Sequence, residues 1–136
     1  MMERKEEAKK WLEFAEEDLK ASAEMERLGF RRIATNLLQQ SAEKSLKGVI
    51  IFLGLENKLK RLKTHNIGQL VDVLIESGIY LDENIIKSVS LTRYAFTTRY
   101  PDDYVPVSKE EYEEAYEIAL KVYEWAKGII EGSALE

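Results

Sequence analysis

Apolar residues return at every third or fourth position from Ala8 to Leu28 and again from Ala34 to Leu53, and a glycine closes each run. That period belongs to α-helix rather than strand, and it fixes one face of each segment as a buried stripe. The first stripe is Ala8, Trp11, Leu12, Ala15, Leu19, Met25 and Leu28, with Ser22 filling its one gap and Gly29 as the stop. The second is Ala34, Leu38, Ala42, Leu46, Val49 and Leu53, ended by Gly54. Helices of about Arg4 to Leu28 and Arg31 to Leu53 follow. A connection this short makes them antiparallel neighbours, so the rest of the chain packs onto a long hairpin.

The remaining segments read as shorter helices. A charged connector, Leu55 to His65, contains Lys58, Lys60, Arg61 and Lys63. Helix 3 is expected from about Ile67 to Ser77, with Asn66 as its cap, Gln69 in the returning capping-box position and Gly78 as its end. Helix 4 is expected from Asp82 to about Thr98, carrying Ile85, Ile86, Val89, Tyr94 and Phe96, and Pro101 forbids its continuation. After a loop holding Pro101, Asp102, Asp103 and Pro106, Ser108 and Glu111 form a capping box for helix 5. That helix runs to about Ile130. No repeat, low-complexity tract or linker divides the chain. The expectation is one all-α domain over residues 1–136, an up-and-down bundle of about five helices.

Composition removes several chemistries. With no cysteine among 136 residues, disulfides, thiolate zinc sites, iron–sulfur clusters and Cys nucleophiles are excluded. The most apolar stretch, Val49 to Leu53, is far too short to span a bilayer, and the charged start MMERKEEAKK is not a signal sequence. A cytoplasmic protein is expected. The net charge of -5 argues against non-specific coating of DNA. The charge is uneven, however: the connector is basic, and Glu110, Glu111, Glu113, Glu114 and Glu117 load the last helix with acid.

Some polar residues do not fit a plain bundle. Asn36, Gln40, Glu43 and Lys47 stand four, three and four apart on one face of helix 2, with Lys44 beside them. They form either a solvated face with a Glu43–Lys47 ion pair, or a polar groove that grips a ligand or holds two helices in register. Asp18 falls at the edge of the buried stripe of helix 1 and needs a cationic partner such as Lys44 or Lys47. His65 is the only histidine; it has no carboxylate at a helical ligand spacing and fits a structural role before helix 3. No metal or cofactor is expected. The densest cluster is Arg93 to Asp103, RYAFTTRYPDD. Arginines beside tyrosines suit phosphate binding and base stacking, and Arg99–Asp102 also suits a helix-end cation tied to its loop.

Taken together, these segments make the chain resemble the HEPN-domain family over about Glu7 to Ile130. The resemblance rests on Ala8, Trp11, Ala15, Asp18 and Leu19; on Ala34 to Lys47, with Gln40, Glu43, Lys44 and Lys47 in place; on His65-Asn66-Ile67; and on Arg99-Tyr100-Pro101-Asp102. It implies a helical bundle, usually a dimer, often paired with a minimal nucleotidyltransferase in toxin–antitoxin-like systems. Many such proteins are metal-independent ribonucleases whose motif is an arginine followed, after four to six residues, by histidine. Arg93 matches the arginine, but Thr98, Arg99 and Tyr100 stand where the histidine belongs. Without the motif's imidazole no side chain at that place titrates near neutrality to move a proton, and losing one general acid or base costs ~10²–10⁴ in rate.

The resemblance therefore implies a non-catalytic module binding nucleotide or RNA, or acting as partner subunit of a nucleotidyltransferase. Gln40, Glu43, Lys44, Lys47, Arg93, Arg99, Tyr100 and Asp102 are its candidate ligand-binding residues, with Asp18 and His65 structural. The alternative is a ribonuclease toxin using Arg93, Arg99, Tyr100 and His65 in an altered arrangement; a third reading is a structural dimeric adaptor. The apolar residues on more than one side of helix 4, including Leu91, lead to the expectation of a homodimer with helix 4 near its axis.

Overall fold

The computed structural model describes residues 3–59, 66–96, 101 and 106–132. They contain α1 (Arg4–Arg27), α2 (Arg31–Phe52), a 3₁₀ turn (Glu56–Leu59), α3 (Ile67–Glu76), α4 (Glu83–Lys87), a 3₁₀ stretch (Ser88–Thr92), α5 (Arg93–Phe96) and α6 (Lys109–Glu131). No strand occurs among the described residues. The expected all-α bundle on a long hairpin is the architecture found.

The two glycines do what the sequence requires of them. At Gly29 and Gly54 the backbone turns to φ of 91° and 74°, which closes each helix in a conformation that a Cβ disfavours. The hairpin is tied internally by small polar side chains. Ser22 Oγ donates to the Ala34 carbonyl at 2.7 Å, and Ser41 Oγ to the Ala15 carbonyl at 2.8 Å. Asn66 Oδ1 accepts from Gly68 N at 2.9 Å, and Ser108 and Glu111 form the expected capping box at the start of α6.

α2 is the central element. From Ala34 to Ile50 none of its residues is fully exposed, because α1, α6 and the α3–α5 region cover it on three sides. Leu38, Leu46, Val49 and Ile50 meet Leu12 and Leu19 of α1, Leu70 and Leu74 of α3, and Val122 and Ile130 of α6 in one core. Close approach is allowed at Gly48, where an added Cβ would lie 3.2 Å from Trp11 Cβ and 3.4 Å from the Ala8 carbonyl oxygen.

The expected fourth helix is not continuous. α4 gives way to 3₁₀ geometry at Ser88 and regains α geometry only at Arg93. Hydroxyls explain the break: Ser88 Oγ donates to the Ile85 carbonyl and Ser90 Oγ to the Lys87 carbonyl, competing with backbone donors. Thr92 Oγ1 accepts from Ile67 N at 3.0 Å, which pins this stretch to the start of α3. Ile85, Leu91 and Tyr94 are spent inside the core, whereas Ile86 and Val89 remain partly exposed.

Candidate functional site

The polar stripe of α2 is partly buried, and it carries the Glu43–Lys47 ion pair. Glu43 lies within the fold with both carboxylate oxygens engaged: Gln39 Nε2 donates to Oε1 and Lys47 Nζ to Oε2, each at 3.1 Å. The Glu43 and Lys47 side chains are only 8% and 20% exposed. Lys47 also lies 5.9 Å from the centroid of the Trp11 ring, and its charge is shared between carboxylate and indole. Lys44 Nζ reaches Asp18 Oδ2 at 2.7 Å, the partner that the position of Asp18 demanded. Burial raises the Asp18 carboxyl above its ordinary value, outweighing the lowering by Lys44.

At its N-terminal end the stripe holds two elements in register. Gln40 donates to the Asn36 side chain, and Asn36 Nδ2 donates to the Tyr94 carbonyl at 3.0 Å, joining α2 to α5. Gln39, wholly buried, was absent from the sequence reading because it belongs to neither the apolar nor the polar stripe.

Arg93 points away from that network, toward α6. Its Nη2 donates to Tyr94 Oη at 2.7 Å and to Glu111 Oε2 at 3.2 Å, while the guanidinium carbon sits 4.8 Å from the Tyr94 ring centroid. The Tyr94 hydroxyl, then the Glu111 charge, stabilise the cation and raise its pKa further. The Ser108 backbone and hydroxyl, then Arg93, hold Glu111 below the usual carboxylate range. Between α6 and the segment ending in α5 lies a depression of about 250 Å³, lined by Ser90, Leu91, Arg93, Tyr94, Glu111 and Ile118 among others. Its lining mixes the apolar Leu91, Ala115 and Ile118 with polar and charged groups, among them Arg93 and the two acids Glu111 and Glu114.

The structure thus brings Asn36, Gln40 and α5 together, and separately Arg93, Tyr94 and Glu111. Arg99, Tyr100, Asp102 and His65 lie outside the described residues. Among the described residues no group of three His, Asp or Glu side chains could hold a metal ion, and no helix is long and apolar enough to cross a membrane.

Residues 8–129 match the HEPN domain. The chain is a member of the HEPN family. A crystal structure of TT1696 from Thermus thermophilus superposes with a TM-score of 0.71 at 27% identity, covering 90% of this chain and 97% of that one. The crystal structure of ST0689, an archaeal HEPN homologue, gives 0.67 at 26% identity, with the same 90% and 97% coverage. No curated protein matches the sequence. The HEPN domain thus accounts for both halves of the fold, the hairpin and the shorter helices laid against it.

Proposed function

We propose that this HEPN protein binds nucleotide or RNA at the Arg93 depression and does not cleave it. The observation that carries the reading is the fixed guanidinium of Arg93 at the lip of a 250 Å³ depression, packed on the Tyr94 ring. A pre-oriented fork suits phosphate oxygens, and holding it in place lowers the entropic cost of using it. The depression lies just below the usual ~300–1,000 Å³ of small-ligand pockets, a size for one nucleotide rather than a larger cofactor. Catalysis lacks its proton carrier, since Thr98, Arg99 and Tyr100 occupy the positions where the family's ribonucleases place histidine.

Glu111 makes the reading testable in both directions. Its carboxylate competes with any anion for Arg93. Replacing it by glutamine removes the charge and keeps a side chain able to complete the capping box. Fluorescence anisotropy with a labelled short RNA, competed by free nucleotides, measures the effect. Arg93→Ala should weaken binding by about tenfold or more, and Glu111→Gln should tighten it, both differences shrinking as salt rises. Absence of binding by the wild type at millimolar nucleotide would overturn the proposal.

A further inference from the structure

We infer that the Arg93 depression selects an unpaired guanine over the other bases, with Glu114 as the residue that reads it. The inference rests on the nucleotide site proposed above and names the base which that site takes. One stripe of α6 forms a wall of the depression: Glu111, Glu114, Ala115 and Ile118 stand at i, i+3, i+4 and i+7. At 1.5 Å per residue the stripe runs for about 10 Å, room for one nucleoside and its phosphate. Glu111 meets Arg93 at one end of it. A phosphate gripped by Arg93 therefore leaves its base further along, beside Glu114 and the apolar surface of Leu91 and Ile118.

The two carboxylates differ in what occupies them. Glu111 accepts from Arg93 and from the Ser108 backbone of its own helix cap. Glu114 is exposed, and among the described residues it has no hydrogen-bond or ion-pair partner. An ionised carboxylate only accepts hydrogen bonds. On the other wall, Ser90 Oγ gives its hydrogen to the Lys87 carbonyl at 2.8 Å, so it too meets a ligand as an acceptor.

A base lying along this wall must turn donors, and no acceptor, toward Glu114. Guanine alone does so on its Watson–Crick edge, where N1–H and the N2 amino group stand side by side and match the two oxygens of one carboxylate. Adenine sets the lone pair of N1, and cytosine that of N3, next to the amino group. Uracil sets its N3–H between two carbonyl oxygens. Each of these presses an acceptor against the carboxylate and leaves one of its oxygens without a donor. Glu114 is open to water, so the preference sits at the low end for a bidentate base contact, about fivefold to tenfold. Base pairing hides the edge that Glu114 reads, which confines the ligand to single-stranded RNA or a free nucleotide.

Competition of GMP, IMP and AMP against a labelled short RNA, followed by fluorescence anisotropy, tests the inference. The readout is the ratio of dissociation constants, which cancels the effect of a charge change on the shared phosphate. AMP should bind about fivefold to tenfold more weakly than GMP. IMP keeps N1–H but lacks the N2 amino group, and should fall between them. Glu114→Gln, at an exposed site where circular dichroism should show no loss of helix, should bring the AMP-to-GMP ratio close to one. Glu113→Gln makes the same charge change outside this lining and should leave the ratio as in the wild type. A uracil tract with one central guanine, set against the same tract with adenine there, shows the preference when the base is read within a chain; a preference confined to mononucleotides marks a free nucleotide as the ligand. Equal binding of AMP and GMP by the wild type, or a preference that survives Glu114→Gln, would overturn the inference and leave the Arg93 site standing. Failure of the nucleotides and the RNA to bind at all would remove the site itself, and the inference with it.

Discussion

The same substitution, glycine to alanine, should have opposite effects at two helical positions of this protein. At Gly48 the new methyl would lie 3.2 Å from Trp11 Cβ, 3.3 Å from Ile130 Cδ1 and 3.4 Å from the Ala8 carbonyl oxygen. The isoleucine tip can rotate away. A Cβ and a carbonyl oxygen move only with their backbone, so α1 must shift relative to α2, along a contact also fixed by the Ser41 and Ser22 hydrogen bonds. Overpacking of this kind costs about 1–3 kcal/mol, against a gain of about 1 kcal/mol from replacing glycine inside a helix. The net expectation is a loss of up to about 2 kcal/mol. At Gly128 of α6 nothing lies within 4 Å of the added methyl. Only the helix-forming gain remains, about 0.5–1 kcal/mol so near the end of the helix. Thermal and urea unfolding of both variants, followed by circular dichroism, reads the two signs. For a domain of this size 1 kcal/mol is a shift of roughly 2–6 °C in Tm. A Gly48→Ala protein as stable as the Gly128→Ala one would show that α1 and α2 are not held at contact distance, and the packing argument would fall.

Ser22→Ala removes a donor to the Ala34 carbonyl and strands the Tyr112 hydroxyl, which lies 3.2 Å from Ser22 Oγ. It should cost about 1–3 kcal/mol by urea unfolding, and Ser22→Ala with Tyr112→Phe should cost less than the two single losses together. The Tyr123 phenol is pushed up to about 12, chiefly by burial and then by Glu16. The unfolded chain therefore ionises first as pH climbs from about 10. The stability tied to Tyr123 is full below that value and is lost on the way to about 12. Tyr123→Phe should flatten this alkaline limb in pH-dependent melts, and an unchanged slope would contradict the assignment.

Long periodic segments were legible in the sequence because their burial is one-sided and their ends carry local signals. α1, α2, α3 and α6 begin at their expected residues to within one position and end within one or two, as Gly29, Gly54, Gly78 and the Ser108–Glu111 box dictate. The break in helix 4 is hidden by its continuing apolar spacing; it comes from Ser88 and Ser90, whose hydroxyls take up helix carbonyls, and from Thr92, which accepts from the first residue of α3. Asp18 could be matched with its partner because a carboxylate at the edge of a buried stripe must find a cation nearby. Gln39 could not be found, since its burial comes from tertiary packing around α2 that reaches beyond the apolar stripe. Glu111 showed itself only as a helix cap; its second role beside Arg93, eighteen residues away, comes from packing that no local pattern encodes.

The most direct test of the functional account is to incubate an end-labelled RNA with wild-type protein and with Arg93→Ala, following binding and chain length in the same samples. Retention of intact RNA by the wild type, lost in Arg93→Ala, is the predicted result. Shortened RNA that appears with the wild type and disappears with Arg93→Ala would contradict it and make this protein a ribonuclease that works without the usual histidine.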